Sequence, residues 1–434
     1  MDGYIIAVNE TISPFDDPVA DVRVEDTPLD HHCEAALRAA GCQTIKRLCS
    51  PGERSDNNGC ALMISGDLWI TRQLAEAFAK QALALNRPCI LTLPEGLLSE
   101  FTLALQDLGS AEIEGSVAHI YPLAFIPAGH ELSSDEFSGD LARDHKVFGF
   151  EPLLIDPMTD PMTIPVHRVF APEEALHVPF SHLSAVRISH WLHLLRANQL
   201  ARLAWGANLT RFQQLRLLWA AIRAVSVNKW KVMARLSTFG KNCDIHPTAT
   251  VEASVLGDNV SVGAGAIVRF SYLADNVKIG DSSHVLSSVL GEGASTSRMG
   301  MLQSCVLYPK ANSGHYGLQL CVIGQGSFIG GEVVLGDFKP DGDIMVMHRG
   351  ELISTDTNLL GCAVGHDCSI MMRATTYAGR EVPNGYTIIG PPHDIITKIP
   401  DNLPRGGVPL FAQGGVLTPY KKSSKRDNST GEGP

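Results

Sequence analysis

The feature of this 434-residue chain that most restricts its fold is a recurrence of aliphatic side chains every six residues through its second half. Ile245 and Val251 begin it. Leu256, Val262 and Val268 follow, then Leu273, Ile279 and Val285, then Ile323, Ile329 and Leu335, and later Val364 and Ile370. Glycine neighbours many of them, as in Ile279-Gly280, Ile323-Gly324, Ile329-Gly330 and Leu335-Gly336. The turns between carry Asp-Asn, Gly-Ala-Gly and Gly-Glu-Gly, residues that accept positive φ. One inward aliphatic per hexad describes a prism with three flat sides, each side a short strand, stacked so that adjacent turns bury one core. The pattern assigns this prism to residues 241–398. Residues 293–318 and 337–343 break the register and are expected to leave it as loops, which in a solenoid commonly lie on the binding face.

This is the hexapeptide repeat, and over roughly residues 243–395 it resembles the left-handed parallel β-helix acyltransferases. The resemblance implies a homotrimer with active sites between adjacent prisms. It also implies an acyl-CoA or acyl carrier protein thioester as donor and a sugar or sugar nucleotide as acceptor. Acyl transfer needs a general base near neutral pKa, normally histidine, and a donor for the oxyanion. Val364-Gly365-His366-Asp367-Cys368 resembles the segment of sugar-nucleotide O-acyltransferases whose histidine is that base. His348 stands 18 residues earlier, one full turn of three hexads, so without an intervening loop the two imidazoles would stack about 4.8 Å apart. His315, in Asn-Ser-Gly-His-Tyr-Gly, is the third candidate base. Each of these histidines also suits a plain hydrogen-bonded role. Related β-helix carbonic anhydrases bind zinc through a His-x-x-x-x-His pair, a spacing absent among His284, His315, His348 and His366.

Residues 1–178 alternate strand and helix patterns: strands at Tyr4–Val8, Ala61–Ser65 and Pro88–Leu93, helices at His31–Ala40 (ended by Gly41) and Thr71–Leu83. That order predicts an α/β domain with a mainly parallel sheet. The stretches Thr27–His32 and Ala36–Cys42 resemble the first helix of sugar-phosphate nucleotidyltransferases. Met63-Ile64-Ser65-Gly66-Asp67 resembles their strand ending in Gly-Asp, whose aspartate holds Mg²⁺. The family's Gly-rich phosphate loop is replaced by Asn9–Pro18, with two carboxylates and two prolines in Ser13-Pro14-Phe15-Asp16-Asp17-Pro18. Such a loop cannot stack N–H donors around a triphosphate and repels it. The domain is therefore expected to be a degenerate copy, with Asp67 either a metal ligand or a loop residue capping the next helix. The whole layout is similar to the bifunctional uridyltransferase–acetyltransferases.

Charge separates these parts. Residues 1–174 carry 28 acids against 11 bases, whereas residues 175–243 contain no acid at all. Nine cations lie between Arg187 and Arg235, alongside Trp191, Trp205, Trp219 and Trp230. Residues 179–240 are thus expected to form a basic amphipathic helical arm. Its cations either face the acidic first domain or dock an anionic membrane surface or an acidic carrier protein. The net charge of −11 argues against nucleic acid as a partner. Ten scattered cysteines with no Cys-x-x-Cys, no leader and no long apolar run predict a reduced, cytoplasmic protein, peripheral to a membrane if the arm binds lipid. Residues 399–434 are expected to be an extension, disordered at its end. Three functions follow: a histidine-based acyltransferase, a non-catalytic β-helix scaffold, or a nucleotidyltransferase with Mg²⁺ on Asp67.

Overall fold

A computed structural model describes residues 1–49, 59–113, 115–129, 149–204, 234–314, 317–390, 403, 410–414 and 416–419. His315, five of the arm's cations and the last residues of the chain lie outside that set.

The first module is an α/β sheet whose strands run in the order Glu151–Leu154, Cys89–Pro94, Ser116–Ile126, Ala61–Ser65, Asp2–Ile6, Thr44–Leu48, with Gly109–Ile113 beside Ser116–Ile126. The helices are α1 (Leu29–Ala39), α2 (Arg72–Leu85), α3 (Leu97–Thr102) and α4 (Trp191–Leu203). Gly41 follows α1 at φ 94°, the left-handed conformation expected of a helix terminator. The sheet is mixed, not mainly parallel. Ser116–Ile126 returns from a hairpin whose turn includes Gly115 at φ 80°, so it runs antiparallel to both strands it separates. Strand alternation splits the core. Ile5, Leu62 and Ile64 face the helices, while Tyr4, Ile6, Ala61 and Met63 pack on the other side. Helix α4 belongs to this core: Trp191, Leu194, Leu195 and Leu200 are fully buried in it.

The second module is a parallel β-helix. Three stacked parallel ladders run through it, and Val262, Val268, Leu273, Ile279, Val285, Ile323, Ile329 and Ile370 all point into one core. Its first rungs are 17 residues long rather than three hexads: Val255 pairs with Tyr272, Tyr272 with Val289 and Val289 with Val306, whereas the last, from Ala363 to Glu381, is a full 18. Inward positions step by six, six and five, as in Leu256, Val262, Val268 and Leu273. The short step is a tight corner turned on one residue of positive φ, such as Ala253 (46°), Phe270 (50°) or Ser287 (48°).

Residues 293–314 and 317–319 do not leave the prism. Ser295–Thr296, Met301–Gln303, Val306–Leu307, Asn312–Ser313 and Gly317–Gln319 all pair in parallel register. There two of the inward positions are taken by buried Thr296 and Ser313, alongside the core residues Leu302, Leu307 and Leu318, so the aliphatic signal fades while the backbone period continues. The later interruption is real and longer than 337–343. The rung from Val322 to Ala363 spans 41 residues and carries a projecting hairpin, Met345–His348 with Glu351–Ser354.

One side of the prism bears apolar residues on both surfaces of its strands: Val289-Leu290, Val306-Leu307, Val322-Ile323 and Ala363-Val364. A second side alternates polar and apolar, as in Ser261-Val262 and Lys278-Ile279. Strands buried on both faces lose their alternation. The α/β module covers the first side, and Val306, Val322 and Ala363 join its core cluster.

Candidate functional site

The segment from Ser13 to Asp26 lies along one corner of the β-helix. That corner is held by a ladder in which each rung's side chain accepts the N–H of the rung before. Asp258 Oδ1 accepts from Lys241 N at 2.6 Å, and Asp275 Oδ1 from Asp258 N at 2.7 Å. Where Pro309 follows Glu292 on the next rung, no side chain can continue the ladder. Asp26 of the α/β module supplies the acceptor instead, at 3.0 Å from Glu292 N. Burial pushes the Asp26 carboxyl above its usual range.

His366 is a member of the same ladder. Its Nδ1 accepts from Gln325 N at 2.8 Å, and its own N–H donates to Asn384 Oδ1 at 2.6 Å. An acceptor at Nδ1 puts the proton of the neutral ring on Nε2, which donates to Asp17 Oδ1 at 3.1 Å. The ring also packs against Phe15 and Tyr308, with centroids 5.4 and 5.6 Å away. Asn384 Nδ2 donates to the Phe15 carbonyl at 2.7 Å. Gly365 is required beside it, because a Cβ there would stand 2.4 Å from Asn384 Oδ1. In this arrangement both ring nitrogens of His366 are occupied, and neither is open to a substrate proton. The segment from Ser13 to Asp26 is thus a strip by which the α/β module grips the β-helix.

Further along, Glu381 forms a second joint. Ser13 Oγ, Trp191 Nε1 and His190 Nε2 approach its carboxylate at 2.6, 2.9 and 3.2 Å. Burial alone would raise this carboxyl, but the three donors outweigh it and hold it below the usual range. His190 is the N-cap of α4, its Nδ1 accepting from Leu192 N, which aims Nε2 at Glu381. His193 is fully buried, with Nε2 on the Ala104 carbonyl at 2.8 Å, and burial pushes its pKa down to about 3.

Beside this joint opens a groove of about 400 Å³, lined by Leu105, Gln106, Asp107, His348, Arg349, Glu351 and Ile353. One bank is the α/β segment after α3; the other is the hairpin projecting from the β-helix. Arg349 bridges them, its Nη2 3.1 Å from Glu10 and its Nη1 3.4 Å from Asp107. His348 is half-buried with its ring 5.5 Å from that of His190. Burial, followed by the cationic influence of His190 and Arg349, lowers its pKa. No described residue hydrogen-bonds either of its ring nitrogens. His348 does not stack on His366: the 41-residue rung carries it out onto the hairpin.

Asp67 is neither the helix cap nor open to a metal. Thr71 precedes α2, and Asp67 is shut inside with its Oδ2 2.7 Å from Arg187 Nε. Its Oδ1 is buried with no hydrogen-bond partner, and an arginine in contact disfavours a divalent cation. The residues present do not fit Mg²⁺. Among the described residues, no group of three His, Cys, Asp or Glu is placed to hold any metal, zinc included.

The described cations of the basic arm turn inward. Arg187 pairs with Asp67, Arg196 stacks over Phe101 at 4.1 Å, and Arg202 pairs with Glu25 above the Tyr272 ring. Arg235 alone among the described ones is exposed. No helix of the described residues is long and apolar enough to cross a membrane. Sequence reasoning missed Asp17, Asn384, Glu381, His190 and Arg349, since each also meets a neighbour supplied by the other module. The one legible hint was His190 immediately before the helical run. No family model matches the chain, and a comparison with curated proteins finds no match.

Proposed function

We propose that this protein is an acyl- or acetyltransferase built on a left-handed β-helix. It moves an acyl group from an acyl-CoA or acyl carrier protein thioester to a hydroxyl or amine of a sugar or sugar nucleotide, with His348 as general base. The observation that carries this reading is the place of His348 at the groove wall, half-buried with its ring nitrogens free of described partners, where burial lowers its pKa and favours the neutral imidazole. Gln106, Asp107, Arg349 and Glu351 offer hydrogen bonds to sugar hydroxyls, and Leu105 and Ile353 offer apolar contact. Transfer from acetyl-CoA to a panel of sugars and nucleotide sugars tests it. His348→Gln is expected to lower kcat by about 10²- to 10⁴-fold, while His366→Asn leaves kcat near the parent value. Full activity in His348→Gln sinks the proposal.

The same reading includes a homotrimer, supported by apolar side chains exposed on and beside the third side of the prism: Met299, Met301, Phe328, Val334 and Met372. Sedimentation equilibrium returning the monomer mass at micromolar concentration removes that part. A second reading, a non-catalytic scaffold, draws support from His366, whose two nitrogens serve the fold. It predicts no transfer with any acceptor tried.

A further inference from the structure

A buried ion pair gains little over apolar residues of the same volume, so the Asp67–Arg187 pair, with side chains 2% and 10% exposed, calls for another explanation. Arg187 makes three directed contacts. Its Nε donates to Asp67 Oδ2 at 2.7 Å, its Nη1 to the Asp107 carbonyl at 2.9 Å, and its backbone N–H to Gln106 Oε1 at 2.7 Å. Gln106 and Asp107 line the groove opposite His348. They belong to residues 103–108, which form no helix or strand and in which Leu105 adopts a φ of 68°. A non-glycine residue in that region needs outside support. Part of it comes from the same segment as Arg187: Ser189 Oγ reaches the Leu105 carbonyl at 3.5 Å, and His193 Nε2 the Ala104 carbonyl at 2.8 Å.

We propose that Asp67 and Arg187 are positioning residues of the groove: the carboxylate aims the guanidinium, and the guanidinium, through the Asp107 carbonyl, fixes the lip opposite His348 that the Arg187 backbone N–H also holds at Gln106. The proposal rests on the reading that this groove is the working site. It gives the buried carboxylate a task that needs no metal. Lysine keeps the charge but not the fixed fork, so Arg187→Lys separates the relay from simple charge compensation.

The test compares full-length parent and Arg187→Lys by amide hydrogen exchange and by NMR titration of the His348 ring. Peptides covering 103–108 are expected to exchange at least tenfold faster, and the His348 titration to move up toward the ordinary imidazole value. Exchange in strand Ala61–Ser65 is expected to stay unchanged. Asp67→Asn, which keeps an acceptor for Nε, reads the same probes if the lysine variant does not fold. Unchanged lip exchange and an unchanged His348 titration in a folded variant overturn the proposal. Faster exchange spread evenly over 61–65 and 185–187 overturns it too, because it marks a pair that only holds the core. In the transfer assay, Arg187→Lys should raise the acceptor KM more than it lowers kcat. If His348→Gln leaves transfer intact, the transfer reading fails while the exchange result on the lip still stands.

Discussion

Two histidines of one β-helix have opposite fates. His366 sits in register on a corner, where several rungs present an acceptor to the N–H of the rung before, and its imidazole is consumed as Asp258 and Asp275 are. His348 sits on a hairpin that the rungs do not constrain, at the wall of a groove closed by the other module. The residue that fits the repeat serves the repeat. The residue displaced by an insertion keeps its ring nitrogens free of described partners.

The kinetic contrast of His348→Gln with His366→Asn is the strongest way to break this comparison. Next in size is a test of the gripped side. Val322→Asp puts a charge between the modules and is expected to cost at least about 4 kcal/mol by urea unfolding. Lys278→Asp, on the open side, should stay within about 0.5 kcal/mol. Equal effects would mean the modules do not share a core.

Acid should loosen the seam in a definite window. His193 holds its pKa near 3 in the fold, and burial also lowers His32 and His348. The unfolded chain therefore binds more protons below about pH 6.5, and stability falls as pH falls. His193 alone contributes a slope that approaches about 1.4 kcal/mol per pH unit as pH falls below the unfolded value of about 6.5. His193→Gln should reduce the proton uptake on unfolding by about one in that window; an unchanged slope assigns the effect elsewhere.

The smallest effect sharpens the role of His366. His366→Ala removes the acceptor of the exposed Gln325 N–H and should cost about 0.5–1.5 kcal/mol. His366→Asn restores an acceptor, as Asn384 provides one rung on, and should recover most of that loss in thermal unfolding. Equal losses in both variants would count against the ladder and leave the Asp17 contact as the main one.

The β-helix was legible because its inward positions recur in the chain itself: Leu256, Val262 and Val268 must face one core whatever else surrounds them. Even the 17-residue rung was written there, in the five-residue step from Val268 to Leu273, although a strict hexad reading overlooks it. The mixed sheet was less legible, since a strand's direction depends on the turn before it, and a glycine such as Gly115 does not announce a hairpin by itself.

The repeat and the helix ends were therefore determined by the sequence alone, because local periodicity needs no distant partner. Only the tertiary structure decided which chemical groups remain available. Asp17 meets His366 across 349 residues and Trp191 meets Glu381 across 190, contacts that no local pattern encodes. Burying one side of the prism against the α/β module spends His366 on the fold and leaves His348 at the groove, because a polar group enclosed by packing must satisfy its hydrogen bonds there first.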